Sequence, residues 1–308
     1  MLRLSMVGGT MIYHGKYFAR MYNGCDPELW AKHGLGGDPN AGRRFDDARV
    51  VKVWDPKRED AETLAAMCRI PQVCDTIEDC GKDVDGILLP DDCSLRHYRF
   101  AEPLWETGLP MFIDKPLAGT IEEAEAVVAK AEKHGVPIFS ASGLQYSREI
   151  EEARPKIAEL GRLLVAQVAS PNELIFYGIH GLAMLWSVLG SGIESAQNIG
   201  EGDVDLVKYR WRDGRIGMHF GLEKGRPGWR ITLYGEKGRL DVEVGDADYF
   251  YWNVNRHFLE MVRTRQQPLS NAAMLEIIRA LCLAKRSRPQ GGVALALASG
   301  EESGIRNS

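Results

Sequence analysis

The order in which apolar runs and helical patterns alternate constrains this chain more than any single motif does. Up to about residue 145, LRLSMV (2–7), VVKVW (50–54), VDGILL (84–89), LPMFI (109–113) and VPIFSA (136–141) read as strands. Between them, KREDAETLAAMC (57–68), SLRHYRFAEPLWETG (94–108) and TIEEAEAVVAKAEKHG (120–135) read as helices. The last carries its own boundaries, because Thr120 and Glu123 have capping-box spacing and His134-Gly135 closes it. Strands that are apolar throughout and separated by helices are buried on both faces, which predicts an α/β domain with a doubly wound parallel sheet.

After about residue 145 the rhythm changes. A helix in SREIEEARPKIAEL is followed by LLVAQVAS, a helical IHGLAMLWSVLG (179–190), and the alternating segments DVDLVKYRW, RIGMHFGL, WRITLYG and RLDVEV. A two-residue period with one buried face is the mark of antiparallel strands. NRHFLEMVRTR and NAAMLEIIRALCLAKR read as two closing helices. The expectation is therefore residues 1–145 as a nucleotide-type domain, and 146–308 as an α+β domain with an open, mostly antiparallel sheet. GSGIESAQNIGEGD (190–203) reads as loop-like in places, and no internal repeat interrupts the pattern. Residues 24–49 form an unusually long, Gly-, Asp- and Pro-rich connection, but Trp30 and Phe45 give it something to pack with. An ordered flap near a site and a disordered insertion both remain open for it.

Composition narrows the partners. A chain of 308 residues with net charge -5 and scattered lysines and arginines gives no reason to expect nucleic acid. No stretch approaches the roughly 18 consecutive apolar residues of a membrane span, and the short run before Gly8 reads as a strand, not a leader. Cys25, Cys68, Cys74, Cys80, Cys93 and Cys282 lack paired metal spacing. No metal site is expected, and reduced thiols in a cytoplasmic protein are.

Ligands of open parallel sheets bind beyond the carboxyl ends of the strands, where helix N-termini and bare backbone face phosphates. MVGGTMIYHG (6–15) lies at the first such end. Gly8 and Gly9, followed by Thr10, allow a tight turn and close backbone approach. The next glycine is Gly15, so the spacing is not GxGxxG, and an ordinary strand-to-helix turn accounts for it equally. Asp55 ends the second strand, where a carboxylate accepts from ribose hydroxyls and repels a 2'-phosphate, favouring NAD over NADP. Lys57 and Arg58 weaken that preference, and Asp55-Pro56 also reads as a plain turn. In FIDKPLAG (112–119), Lys115 follows a strand and Pro116 biases it to extended backbone. An ammonium group at that edge can exchange a proton with a substrate hydroxyl; a solvated lysine partnered by Asp114 is the alternative.

The run from VDGILLPDD to HGVPIF (84–139) resembles the nucleotide domain of the Gfo/Idh/MocA oxidoreductases, whose Glu-Lys-Pro motif corresponds to Asp114-Lys115-Pro116. The resemblance spans residues 2 to about 150 and continues more loosely through FYGIHGLAMLWSVLG. It implies a Rossmann-type domain, a second domain with an open sheet, a nicotinamide nucleotide, and sugar-like or cyclitol substrates. It also implies cofactor contacts from Gly8, Gly9, Thr10, Asp55, Pro90, His97, Asp114 and Lys115. The family's second-domain pattern, Asp-x-Gly-x-His with an Asp three residues on, here reads Phe176-Tyr177-Gly178-Ile179-His180 with Ala183. Gly178 and His180 are kept and both carboxylates are gone. Gln145 also stands near where the family often carries a basic residue.

These readings combine into an NAD-dependent oxidoreductase of a sugar, sugar derivative or cyclitol hydroxyl, with Lys115 as acid or base, His180 and Tyr177 assisting, and a homodimer or homotetramer as the assembly. The loss of the carboxylates keeps two alternatives open: a lyase, hydratase or hydrolase that recycles tightly bound NAD, and a non-catalytic binding protein.

Overall fold

The computed structural model describes residues 1–91 and 97–297. They divide into two compact units: Met1–Arg148 with Asp246–Met274, and Glu149–Gly245 with the described residues from Leu275 onward.

The first unit opens with β1 (Leu2–Val7), α1 (Tyr13–Asn23), α2 (Pro27–His33), β2 (Ala48–Trp54), α3 (Arg58–Cys68), β3 (Gln72–Val73) and α4 (Ile77–Cys80). It continues with β4 (Gly86–Leu89), α5 (His97–Ala101), β5 (Met111–Ile113), α6 (Ile121–His134) and β6 (Ile138–Phe139). The six strands are parallel in the order β3-β2-β1-β4-β5-β6, so the strand order reverses between β1 and β4. Every residue of β4 is buried, as its unbroken apolar run requires. Thr120 caps α6 by accepting from the Glu123 N–H at 3.1 Å, and Gly135 in the left-handed region ends it. Of the helix expected over 94–108, α5 forms and passes into a 3-10 turn from Glu102 to Thr107; residues 94–96 lie outside the described residues.

The second unit takes up α7 (Arg148–Glu159) after its first residue, then β7 (Leu163–Pro171), α8 (Gly178–Leu189), β8 (Ile193–Asn198) and β9 (Val204–Trp211). Next come β10 (Ile216–Leu222), β11 (Trp229–Gly235) and β12 (Gly238–Val244). With β13 (Leu295–Ala296) the sheet runs β12-β11-β7-β10-β9-β8-β13, antiparallel except where β10 meets β7. Alternation holds strand by strand: Val207, Tyr209 and Trp211 of β9 are buried and their neighbours are not. Within 190–203, β8 occupies Ile193–Asn198 between loop-like ends. Ile193, Ala196 and Asn198 turn inward, and β8 pairs with β9, a pattern that the surrounding glycines and serines obscure.

A single boundary at 145/146 also misses the return of Asp246–Met274 to the first unit. This segment contains α9 (Ala247–Thr264), and α10 (Asn271–Ser287) follows, divided between the two units. The helix expected at 255–265 begins eight residues earlier than the apolar spacing implied, where Asp246 caps it by accepting from the Tyr249 N–H at 2.9 Å. Its apolar face packs in the first unit, with Phe258 5.9 Å from Phe112 between ring centroids. Burial of that face, not chain order, decides its membership.

The long connection 24–49 is ordered. Asp26 accepts from the N–H groups of Glu28 and Leu29 and starts α2 with Pro27 as its first residue. Trp30 is buried and donates its indole N–H to Gly36 O at 3.0 Å, while Phe45 stacks on both Tyr22 and Trp252. Cys25, Cys68, Cys74, Cys80 and Cys282 are buried and outside any disulfide; Cys93 lies outside the described residues.

Candidate active site

The site begins where β1 ends. Gly8 and Gly9 both have positive φ (73° and 61°), and a Cβ on Gly9 would stand 2.8 Å from the Asp91 Cα. Glycine is therefore required for the turn to pass the exit of β4, at the point where strand order reverses. α1 follows with Ile12 at its N-cap, without a side-chain cap and without an acid in its first turn. Its amino end is suited to an anionic group.

Asp55 stands one residue beyond β2. Thr10 donates to its Oδ2 twice, from the backbone N–H at 3.1 Å and the hydroxyl at 2.9 Å, and the Lys57 N–H donates to Oδ1 at 3.0 Å. The carboxylate is half-buried. The two cations that follow turn to other acids: Lys57 to Asp60 at 2.8 Å, and Arg58 to Glu62 at 2.8 Å and Asp75 at 2.6 Å. Pro90, the residue after β4, and His97, the first residue of α5, are both buried.

At the end of β5, the Asp114 N–H continues the ladder to Leu89 O at 3.0 Å, and Oδ1 accepts the Lys115 N–H at 2.8 Å. Oδ2 meets Nδ1 of His14, from the first turn of α1. Asp114 and Lys115 are 1% and 3% exposed, so the solvated strand-end lysine is excluded. The Lys115-Pro116 peptide is cis. Contacts at the same edge thus connect the exits of β1 with β2, β4 and β5: Thr10 with Asp55, Gly9 with Asp91, and His14 with Asp114. Gly8, Gly9, Thr10, Asp55, Pro90, Asp114 and Lys115 all follow the carboxyl ends of β1, β2, β4 and β5 of one parallel sheet, and His97 opens α5.

Tyr177 and His180 belong to the second unit. Tyr177 is the N-cap residue of α8, and its carbonyl accepts the His180 N–H at 3.0 Å. The imidazole of His180 lies edge-on to Tyr177 (5.7 Å) and to Trp229 (5.2 Å). Behind α8, a second histidine is fully buried: His219 of β10 shares a 2.7 Å hydrogen bond with the Ser170 hydroxyl. Burial pushes its imidazole down from an ordinary 6.5 to about 4, with Asp205 only partly opposing. Gln145 is buried in the first unit.

Sequence reasoning missed His14, Tyr251, Trp229 and His219. For His14 a signal existed, since a titratable residue in the first turn of the first helix must lie near the carboxyl edge. Tyr251, on α9, gave none: its hydroxyl reaches His14 Nε2 at 3.1 Å across more than two hundred residues of chain.

A parallel sheet in this order, with a glycine turn at the reversal point and a carboxylate after the second strand, defines a dinucleotide-binding Rossmann domain. Residues 4–142 match the family model described as oxidoreductase family, NAD-binding Rossmann fold. The first domain is thus similar to the nucleotide-binding domain of the Gfo/Idh/MocA oxidoreductases. A Salmonella typhimurium protein named as an oxidoreductase, YceM, is 23% identical over 128 residues, which cover 40% of this chain and 41% of the relative's length. Over 97% of the chain the fold is similar to myo-inositol dehydrogenase from Lactobacillus casei, solved with NAD(H) and myo-inositol (17% identity, 97% of that chain, TM-score 0.77). It is likewise similar to scyllo-inositol dehydrogenase from Lactobacillus casei, solved with NAD(H) and scyllo-inositol (13% identity, 97% of this chain and 100% of that chain, TM-score 0.78). At these identities the likeness is one of fold.

Proposed function

We propose that the protein is an NAD-dependent oxidoreductase acting on a hydroxyl of a sugar, sugar derivative or cyclitol, with Lys115 as the acid or base. The observation that carries this reading is the burial of Lys115 at the exit of β5, on the sheet edge that also holds the glycine turn and Asp55. Gly8, Gly9, Thr10 and the amino end of α1 would face the diphosphate, Asp55 the adenosine ribose, and Pro90, His97 and Asp114 would complete the cradle. When bound, the nicotinamide supplies the hydride acceptor. Lys115 would take the proton of the substrate hydroxyl, while His180 and Tyr177 orient the substrate.

Two further features support the finer points of this reading. Asp60, Glu62 and Asp75 occupy Lys57 and Arg58, which leaves Asp55 to set a preference for NAD over NADP. On the less buried face of the second sheet, Met218, Phe220 and Leu222 are only half-buried, which suits pairing with another copy as a homodimer or homotetramer. Among the described residues no helix is long and apolar enough to cross a membrane. A cytoplasmic enzyme of small carbohydrates, with no nucleic-acid partner, fits these features.

A second reading rests on Phe176 and Ala183, which stand where the family pattern carries carboxylates, and Ala183 is buried at 1% exposure. In that reading NAD is held and recycled by a lyase, hydratase or hydrolase. The test is to record absorbance and mass spectra of the protein as purified, then assay a panel of sugars, sugar acids and inositols with NAD and NADP. Reversible NAD binding with net reduction on one substrate supports the first reading; retained NAD with product and no net reduction supports the second. Lys115→Met should lower turnover by roughly 100- to 10,000-fold while still binding NAD. A folded Lys115→Met protein that turns over at the wild-type rate would remove Lys115 from the chemistry.

A further inference from the structure

Asp114, His14 and Tyr251 form a carboxylate–imidazole–phenol chain entirely within the first unit. Asp114 is 1% exposed and His14 5%. A carboxylate buried so deeply is tolerated only where hydrogen bonds replace its water. Both of its oxygens are engaged: Oδ1 takes the Lys115 N–H and Oδ2 takes His14 Nδ1. One ring nitrogen, Nδ1, thus meets the carboxylate, and the other, Nε2, meets the Tyr251 hydroxyl at 3.1 Å. The ring itself is fixed on both sides, stacked on Phe18 at 5.2 Å and edge-on to Tyr251 at 5.1 Å.

From this geometry we infer that His14 and Tyr251 are positioning residues for Lys115. Tyr251 fixes the plane of His14, His14 fixes the rotamer of Asp114, and Asp114 fixes the main chain of Lys115 through its N–H. Rotating the Asp114 carboxylate would break the His14 bond or the Lys115 bond, so the two are linked. The inference rests on the reading of Lys115 as the proton-exchanging group for its functional meaning, but the pose of Lys115 is measurable without any substrate.

The experiment labels lysines with acetic anhydride at limiting reagent and follows Lys115 by mass spectrometry, using Lys115→Met to assign the peptide. In Tyr251→Phe and in His14→Gln, labelling of Lys115 should rise about fivefold, the factor carried by one hydrogen bond of ordinary strength. The other lysines should label at wild-type rates, which separates this effect from general loosening. Because Tyr251 acts through His14, the double variant should label Lys115 no faster than His14→Gln alone. If His14→Gln does not fold, Tyr251→Phe, which keeps the ring, still decides the question. Unchanged Lys115 labelling in folded Tyr251→Phe, or a rise shared equally by all lysines, overturns the inference. Failure of the catalytic reading shows instead as wild-type turnover by Lys115→Met.

Discussion

Thr10 holds one oxygen of Asp55 with two donors, its backbone N–H at 3.1 Å and its hydroxyl at 2.9 Å. The contact joins the turn after β1 to the exit of β2, so the proposed ribose carboxylate also maintains the shape of the glycine turn. Replacing it affects both binding and the turn.

Wild-type protein should bind NAD more tightly than NADP, and Asp55→Ala should weaken NAD by about tenfold or more, the scale of losing hydrogen bonds to a charged group. Titration calorimetry with both nucleotides checks this. Equal or stronger NADP binding by the wild type would overturn the cofactor assignment.

His219 makes stability depend on pH in a defined direction. Its folded-state pKa of about 4 lies below the ordinary 6.5, so between these values the unfolded chain binds a proton that the folded chain does not. Its contribution is complete above about pH 6.5 and is lost as pH falls toward 4. Urea unfolding should show about 2 kcal/mol lost from this source between pH 7 and pH 5. In His219→Gln that increment should vanish; the same pH slope in both proteins would mean that another group is responsible.

Gly181 is the point at which α8 touches His219. A Cβ there would stand 2.6 Å from Nε2, on a ring already held by Ser170. Gly181→Ala gains about 1 kcal/mol in helix propensity but should be outweighed by overpacking of about 1–3 kcal/mol. A lower urea midpoint with an unchanged slope is the expected result, and a raised midpoint would show that the ring yields.

Asp248 ties the long connection to α9. It accepts from Arg20 Nη2 at 2.9 Å, from the Arg43 N–H at 2.8 Å and from Arg43 Nη1 at 2.9 Å. Burial works to raise its carboxyl, but the Arg43 N–H and the two guanidinium groups outweigh that and hold it below the usual carboxylate range. Asp248→Ala should increase tryptic cleavage at Arg43 and Arg44 by about tenfold, with cleavage elsewhere unchanged. If NAD shields the segment in the wild type, it lies beside the nucleotide; indifference to NAD would leave it a purely structural strap.

The sequence alone determined the two sheet types, because period and burial are local properties: GILL cannot face water on either side, whereas VDLVKYRW must on one. It also determined the ends of α6, since caps act within one turn, and it placed Lys115 and Asp55 at strand exits. Asp26-Pro27 was an equally local signal for α2, hidden by the glycines after it. Tertiary structure decided what depends on distant chain. The return of α9 supplies Tyr251 and Asp248, His14 meets Asp114, and the burial of His219 beneath α8 sets its protonation. No periodicity encodes these, because the energy of burying a charged or polar side chain depends on which partners the completed fold brings to it.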